Sequence, residues 1–153
     1  MIKQISIGLT GALLSLSMLS AQAAPKPDEA AEYRQSVFTV VKWNFAPIGA
    51  MIKGDVPFDA AAVARHAQYV EMMSKAALEG FPKGSGPDAV KDTEAKAEIW
   101  SNWSGFEAKM SDFQKEAAKL AEVAKGGDQA AIKAQFGKTA ETCKACHKEF
   151  RKD

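Results

Sequence analysis

The amino-acid sequence predicts an all-α fold, an antiparallel four-helix bundle with left-handed, up-down-up-down topology. Apolar residues recur at helical spacing in four separate segments. The chain is rich in Ala, Lys, Glu and Met, which are good helix formers. No segment shows the sustained alternation of apolar and polar residues that is typical of a half-buried strand. Four amphipathic helices joined by mostly short connections favour antiparallel packing of neighbours.

The first 23 residues are predicted to be a cleaved signal peptide rather than a part of this fold. Lys3 supplies a positive charge, an apolar stretch follows from Ile5 to Leu19, and Ala21-Gln22-Ala23 has the small-x-small pattern that a signal peptidase recognises. An uncleaved membrane anchor is the alternative. Cleavage would leave one domain, residues 24–153, in the bacterial periplasm, which is an oxidising compartment.

Composition excludes several classes of protein. The 20 Lys and Arg residues nearly balance the 19 Asp and Glu residues, whereas a nucleic-acid partner requires a surplus of positive charge. No apolar run reaches the roughly 20 residues that are needed to span a bilayer. The hydrophobic fraction of 46% is too high for a disordered chain. We therefore expect neither nucleic acid nor membrane as a partner.

The first helix is predicted from about Asp28, as N-cap, to Ile52. Pro47 lacks a backbone N–H, so we expect a kink or an end of this helix near Phe45. The second helix is predicted from about Asp59 to Leu78, and the Gly- and Pro-rich loop 80–87 follows it.

The third helix is predicted from about Lys91 to Ala124, because its apolar residues step by three and four over seven turns. This stripe consists of Ile99, Trp103, Phe106, Met110, Phe113, Ala117, Leu120 and Ala124. Gly126 and Gly127 end it. The fourth helix is predicted from Asp128, as N-cap, to about Arg151.

The fourth helix carries Cys143-Lys144-Ala145-Cys146-His147, the C-x-x-C-H pattern of covalent c-type haem attachment. Cysteines three residues apart share one helical face, so both sulfurs can reach the two haem vinyl groups. The adjacent imidazole can bind the iron. The motif predicts one haem c attached through Cys143 and Cys146, with His147 as the metal ligand.

Three other roles for the two cysteines stay open as alternatives. A thioredoxin-like redox pair would need a nearby βαβ pattern, and none is visible. A structural zinc site needs four ligands, and His66 is the one histidine outside the motif. A disulfide in a haem-free periplasmic bundle is the third.

Any second iron ligand must come from an earlier helix, because six residues follow His147. The candidates are Met51, Met72, Met73, Met110 and His66. Met110 lies within the apolar stripe of the third helix, which favours a core position, and His66 lies among Ala, Arg and Gln, which favours the surface.

A C-x-x-C-H motif at the C-terminal end of a periplasmic four-helix bundle resembles cytochrome c′, the class II c-type cytochromes. The resemblance covers nearly all of residues 24–153. It is carried by Tyr33-Arg34-Gln35-Ser36, by Glu98-Ile99-Trp100-Ser101, and by the segment from Thr142 to Arg151.

The resemblance implies roles for residues around the iron. His147 corresponds to the single proximal ligand, and Arg151 to an arginine beside it. Arg34 and Gln35 correspond to residues that contact the haem edge and propionates. Phe38 corresponds to the distal residue, which is usually aliphatic or methionine and covers the open face of the iron.

The resemblance also implies an aromatic lining and a dimer. Phe81, Phe106 and Phe113 correspond to aromatic residues that line the haem, whereas Leu78 replaces a tryptophan that is frequent in the family. The family commonly forms homodimers through its first two helices. Val40, Trp43 and Ile52 lie off the main apolar stripe of the first helix. They fit either a surface for this contact or the edge of the core.

Phenylalanine has no donor atom, so the resemblance implies a five-coordinate, high-spin haem that binds NO readily, CO weakly and little O₂. The alternative is a six-coordinate, low-spin electron carrier of the c-556 type with a periplasmic redox partner. In such relatives a methionine of the first helix binds the iron. We do not expect an enzyme, because a peroxidase needs a distal base and a polar pocket, and neither is visible near Phe38.

Overall fold

The computed structural model describes residues 24–152, so the predicted signal peptide lies outside the described residues. The helices are α1 (Pro27–Lys53), α2 (Ala60–Ala76), α3 (Glu98–Ser101), α4 (Trp103–Lys125) and α5 (Gln129–Phe150), and a 3₁₀ turn, Ala77–Gly80, follows α2. None of the helices in this part of the chain combines the length and the apolar character that a bilayer crossing requires.

The four long helices α1, α2, α4 and α5 form the predicted bundle, which is confirmed. Helix α1 packs on α2, α2 on α4, and α4 on α5, each over an extensive surface. Helices α1 and α5 make far fewer contacts with each other. Within residues 24–152 there is no strand, and a single pair, Ala95 and Arg151, forms an isolated antiparallel β-bridge.

Helix α1 differs from the prediction at its start and at Pro47. It begins at Pro27, a position where the missing N–H costs no helical hydrogen bond, so Asp28 lies in the first turn instead of capping it. It also continues through Pro47 to Lys53, one residue beyond the predicted bound at Ile52, so of the two effects expected from Pro47 an end near Phe45 is wrong. The residues after the proline, among them the fully buried Ile48, pack into the core, and this burial outweighs the lost hydrogen bond.

Helix α2 begins as predicted at its N-cap, where the Asp59 carboxylate accepts a hydrogen bond from the Ala62 N–H at 3.0 Å. It ends two residues earlier than predicted, and Leu78 lies in the 3₁₀ turn. This turn crosses α1 closely, because a Cβ on Gly80 would lie 2.5 Å from the Cβ of Arg34. Only glycine allows this approach.

The predicted third helix is interrupted and begins later. Residues 91–97 are not helical, and Asn102 separates the short α3 from α4 with φ of −125° and ψ of 56°. The Asn102 side chain then caps α4 by accepting a hydrogen bond from the Gly105 N–H at 3.3 Å. The connection after α2 is therefore longer than the predicted loop 80–87. The apolar stripe of α4 is buried as predicted, except that Trp103 is 36% exposed.

Helix α5 begins as predicted after Asp128, whose carboxylate accepts a hydrogen bond from the Ala131 N–H at 2.8 Å. It ends at Phe150, and Arg151 is extended.

The core has two clusters at opposite ends of the bundle. The aromatic cluster lies at the end that contains the cysteines and consists of Val37, Val41, Val70, Ala77, Phe81, Ile99, Phe106, Met110, Phe113, Ala117 and Phe150. The aliphatic cluster lies at the other end and consists of Ile48, Met51, Ile52, Val63, Ala67, Leu120, Ala121, Ala124 and Ile132. Phe45 packs against both clusters.

Candidate haem-binding site

Cys143 and Cys146 lie on the inner face of α5, half-buried against the aromatic cluster. Both are free thiols, and Cys143 donates a weak hydrogen bond to the Thr139 carbonyl at 3.6 Å. Burial raises the pKa of both thiols, that of Cys146 to about 11 even though Lys109 lowers it. The two sulfurs therefore occupy an apolar environment that suits neutral thioethers.

His147 lies on the exposed side of the same helix. Partial desolvation and the positive charge of Arg151 lower the pKa of its imidazole, although Glu94 opposes this shift. A lowered pKa favours the neutral imidazole, which is the form that binds a metal.

A short segment of the α2–α4 connection holds the chain directly after His147. The Glu94 carboxylate accepts hydrogen bonds from Arg151 Nε at 2.7 Å and pairs with Arg151 Nη2 at 2.6 Å. The Lys152 N–H donates to the Glu94 carbonyl at 2.8 Å, and the Lys96 N–H donates to the Phe150 carbonyl at 3.0 Å. This network fixes Arg151 one turn beyond His147. Sequence reasoning missed Glu94, because its partner lies 57 residues away and no local pattern reveals the pair.

Arg34 is 3% exposed and is the hub of the same connection. Its Nη1 donates to the Gly80 carbonyl at 3.0 Å and to Ser85 Oγ at 3.2 Å. Its Nη2 donates to the Ser85 carbonyl at 3.0 Å and to Thr93 Oγ1 at 2.9 Å. The guanidinium also lies over the rings of Phe81, at 5.2 Å, and Trp100, at 5.8 Å.

All these partners of Arg34 are neutral, and no carboxylate of the described residues forms an ion pair with it. Burial lowers the pKa of this guanidinium, because the charged form is desolvated. A buried cation without a counter-ion is costly, so the site suits a group that brings its own carboxylate. A haem propionate is such a group. Gln35, the other residue predicted at this edge, lies next to Arg34 on the exposed side of α1.

The predicted aromatic lining forms a connected series in the aromatic cluster. Phe38 is half-buried, and its ring meets Phe81 edge-on with centroids 6.5 Å apart. Phe81 meets Phe106 at 4.7 Å, and Phe106 meets Phe150 at 5.3 Å, both edge-on. Phe113 is buried in the same cluster. The structure thus brings these phenylalanines together with both cysteines.

Trp100 belongs to this lining as well, although sequence reasoning used it only as part of a family signature. Its indole Nε1 donates to the Pro82 carbonyl at 3.0 Å, and its ring packs on Phe81 with centroids 6.2 Å apart. The helical stripe through Ile99 and Trp103 does not include Trp100, which is why the pattern alone did not select it.

The candidates for a second iron ligand separate by position. Met51 lies in the aliphatic cluster, and Met72 is 58% exposed. His66 is bonded through Nδ1 to the Asn44 amide oxygen at 3.0 Å. Met73 and Met110 lie in or against the aromatic cluster. The zinc alternative lacks support in residues 24–152, where no three His, Cys, Asp or Glu side chains group together in a manner suited to a metal.

These features fit a haem attached to α5. The two thiols, the aromatic wall and the uncompensated charge of Arg34 occur at the same end of the bundle.

Comparisons with known proteins point to one family. The family model described as Cytochrome C' matches residues 29–151. The cytochrome c' of Rubrivivax gelatinosus is 42% identical over 126 residues, which cover 82% of this chain and 96% of the relative. The cytochrome c prime structure from Shewanella frigidimarina aligns with a TM-score of 0.79 and 45% identity, covering 84% of this chain and 98% of that chain.

A second similar structure is the nitric oxide complex of a variant of cytochrome c prime from Alcaligenes xylosoxidans. It aligns with a TM-score of 0.77 and 33% identity, covering 84% of this chain and 97% of that chain. The chain therefore belongs to the cytochrome c′ family, whose members carry covalent haem c of the kind that the motif at Cys143 and Cys146 predicts.

Proposed function

We propose that this chain is a periplasmic, non-enzymatic haem protein that binds NO and CO at an apolar distal face, with a five-coordinate, high-spin iron. The observation that carries the proposal is the position of Phe38. It packs on Phe81, in the aromatic cluster that also receives both cysteines, and it has no atom that could bind iron. The nitric oxide complex of the Alcaligenes relative supports NO as a ligand.

When bound, the haem supplies an iron with one coordination position available to a diatomic gas. The residues of this chain then decide which gas enters. Phe38, its neighbour Phe81, and Phe106 behind Phe81 offer no hydrogen-bond donor, which O₂ needs more than NO or CO does. The bulk of Phe38 restricts access, so CO binds weakly. An apolar face without a base also disfavours peroxidase chemistry.

His147 would be the protein ligand of the iron. Its neutral imidazole has a free nitrogen for the metal, and Arg151 is held beside it by Glu94. Arg34 is proposed to compensate a propionate charge. Its four hydrogen bonds use Nη1 and Nη2, so Nε remains for a further acceptor. Gln35 is adjacent and accessible for the same edge.

Absorption spectra of the purified protein test the proposal. A pyridine haemochrome spectrum should show haem c. The ferrous spectrum should be five-coordinate and high-spin, and it should change on addition of NO and of CO. A six-coordinate, low-spin ferrous spectrum without added ligand would overturn the proposal.

Electron transfer is the second candidate function, and the exposure of His147 favours it. A ligand at the surface brings the iron close to a docked redox partner. Met73 or Met110 would complete a six-coordinate iron in this case, since both belong to the aromatic end of the core. Rapid electron exchange with a periplasmic partner would support this function, and slow exchange with every partner tested would count against it.

We also propose that the protein forms a homodimer through α1 and α2. Exposed apolar side chains lie on both helices: Val40 (40%) and Trp43 (77%) on α1, and Tyr69 (46%) and Met72 (58%) on α2. The two residues on each helix are three positions apart and therefore lie on the same helical face. Ile52, predicted as a part of this surface, is instead buried in the aliphatic cluster.

A further inference from the structure

Phe45 of α1 and Phe136 of α5 form a parallel ring stack, with centroids 4.1 Å apart and planes inclined by 11°. Gly49 lies beside this stack, one turn after Phe45. A Cβ on Gly49 would lie 3.1 Å from Cζ of Phe136, closer than ordinary van der Waals contact. The missing side chain thus allows the Phe136 ring to lie against α1.

The stack determines which residues of the two helices face each other. Because α1 and α5 are antiparallel, seven residues toward the start of α1 correspond to seven residues toward the end of α5. This displacement leads from Phe45 to Phe38 and from Phe136 to Cys143. Seven residues make two turns, about 10.5 Å along each helix, and return to nearly the same face.

Phe38 and Cys143 therefore lie opposite each other, two turns from the stack. Both pack against the aromatic cluster, as this register requires. The positions of the distal residue and of the first haem-anchoring cysteine therefore both depend on the contact between Phe45 and Phe136.

Direct contact between the two helices is limited. The contacts between α1 and α5 are far fewer than those of the other three neighbouring pairs of long helices. The stack is therefore a principal direct connection between α1, which carries Phe38, and α5, which carries the cysteines and His147.

We propose that the stack of Phe45 and Phe136 is a positioning device that holds α1 against α5 and so sets how tightly Phe38 closes the gas-binding face. This inference rests on the proposed function, in which Phe38 covers that face. Phe45 and Phe136 act through α1 and are positioning residues without direct contact to the gas.

The first test measures the CO association rate of the ferrous holoprotein after flash photolysis. Phe136→Leu removes the flat ring, so α1 should move away from α5 more easily. The CO association rate should then rise several-fold. Phe45→Leu removes the opposite ring of the same stack and should raise the rate in the same way. Phe58→Leu is the matched control, because Phe58 packs against the same aliphatic cluster but belongs to neither helix.

A double variant distinguishes an effect of the stack on the position of Phe38 from a general loosening of the bundle. If the stack acts through Phe38, Phe136→Leu should accelerate CO binding much less in a Phe38→Ala background. A wild-type rate in Phe136→Leu, or equal acceleration by Phe58→Leu, would overturn the proposal.

A second measurement reports the separation of the two helices and not the rate of gas binding. Nitroxide labels on Thr39→Cys of α1 and Lys138→Cys of α5 occupy exposed positions, and pulsed electron paramagnetic resonance gives their separation in the CO-bound ferrous protein. Phe136→Leu should broaden this distribution, and Phe58→Leu should not. Wild-type CO binding in Phe38→Ala would refute the proposed function, whereas an unchanged label distribution in Phe136→Leu would refute the positioning role of the stack.

Discussion

Arg34 combines almost complete burial with partners that are all neutral. Its guanidinium joins α1 to three points of the α2–α4 connection, at Gly80, Ser85 and Thr93. A planar group with five donors can make these bonds at once, whereas the point charge of a lysine cannot. The same residue therefore has a structural role, through Nη1 and Nη2, beside the proposed contact with a propionate.

Replacement of Arg34 tests this structural role. Arg34→Met should lower the free energy of unfolding of the holoprotein by about 3 kcal/mol, because buried carbonyl and hydroxyl groups lose a charged donor. Urea denaturation measures this change. Arg65→Met, at an exposed position of α2, is the control and should change stability by less than about 0.5 kcal/mol. Equal losses in the two variants would contradict the hub role of Arg34.

Phe38 is the residue on which gas selectivity depends in the proposed function. Phe38→Ala should raise the CO affinity of the ferrous protein roughly tenfold, about 1.4 kcal/mol, because it relieves crowding at the distal face. Equilibrium titration with CO measures the affinity. Val41→Ala truncates a buried residue of the same helix and cluster and serves as control. Unchanged affinity in Phe38→Ala would remove Phe38 from the distal role.

At the scale of elements, the close approach of the 3₁₀ turn to α1 depends on Gly80. Gly80→Ala should destabilise the protein by about 1–3 kcal/mol, since the new Cβ would clash with Arg34 and force the turn away from α1. Gly137→Ala is the matched control, because a Cβ there has no neighbour within 4 Å and alanine favours the helix by up to about 1 kcal/mol. Thermal unfolding should show a lower melting temperature for Gly80→Ala and a higher one for Gly137→Ala than for the wild-type protein. A stability gain in Gly80→Ala would show that the turn does not need this contact.

The predicted helix bounds are correct where adjacent residues determine them and wrong where tertiary packing determines them. Asp59 and Asp128 cap their helices as expected, because an N-cap depends on adjacent residues. Pro47 lies inside α1, because the residues after it are buried in the core. The segment 91–97 has a helical pattern, but its backbone and side chains bond to α1 and to the end of α5 instead.

At the scale of the whole molecule, the exposed apolar faces of α1 and α2 support the proposed dimer. Trp43→Glu places a charge at the most exposed of these side chains and should weaken dimerisation by at least about 2 kcal/mol, as is typical of a central aromatic residue. Sedimentation velocity over a concentration series measures the change. Val56→Glu is the control, because Val56 is also apolar and exposed but lies outside both helices. A monomeric wild-type protein, or equal weakening by both variants, would contradict this interface.

The sequence by itself determined the helical bundle, the haem attachment through Cys143 and Cys146, and His147 as the expected ligand. These features depend on spacings of three and four residues, because residues at these spacings lie on the same face of a helix. Tertiary structure alone decided the neutral surroundings of Arg34, the pairing of Glu94 with Arg151, and the register of Phe38 against Cys143. Their partners lie some 46 to 105 residues apart, and such contacts follow from how the helices pack and not from any local pattern.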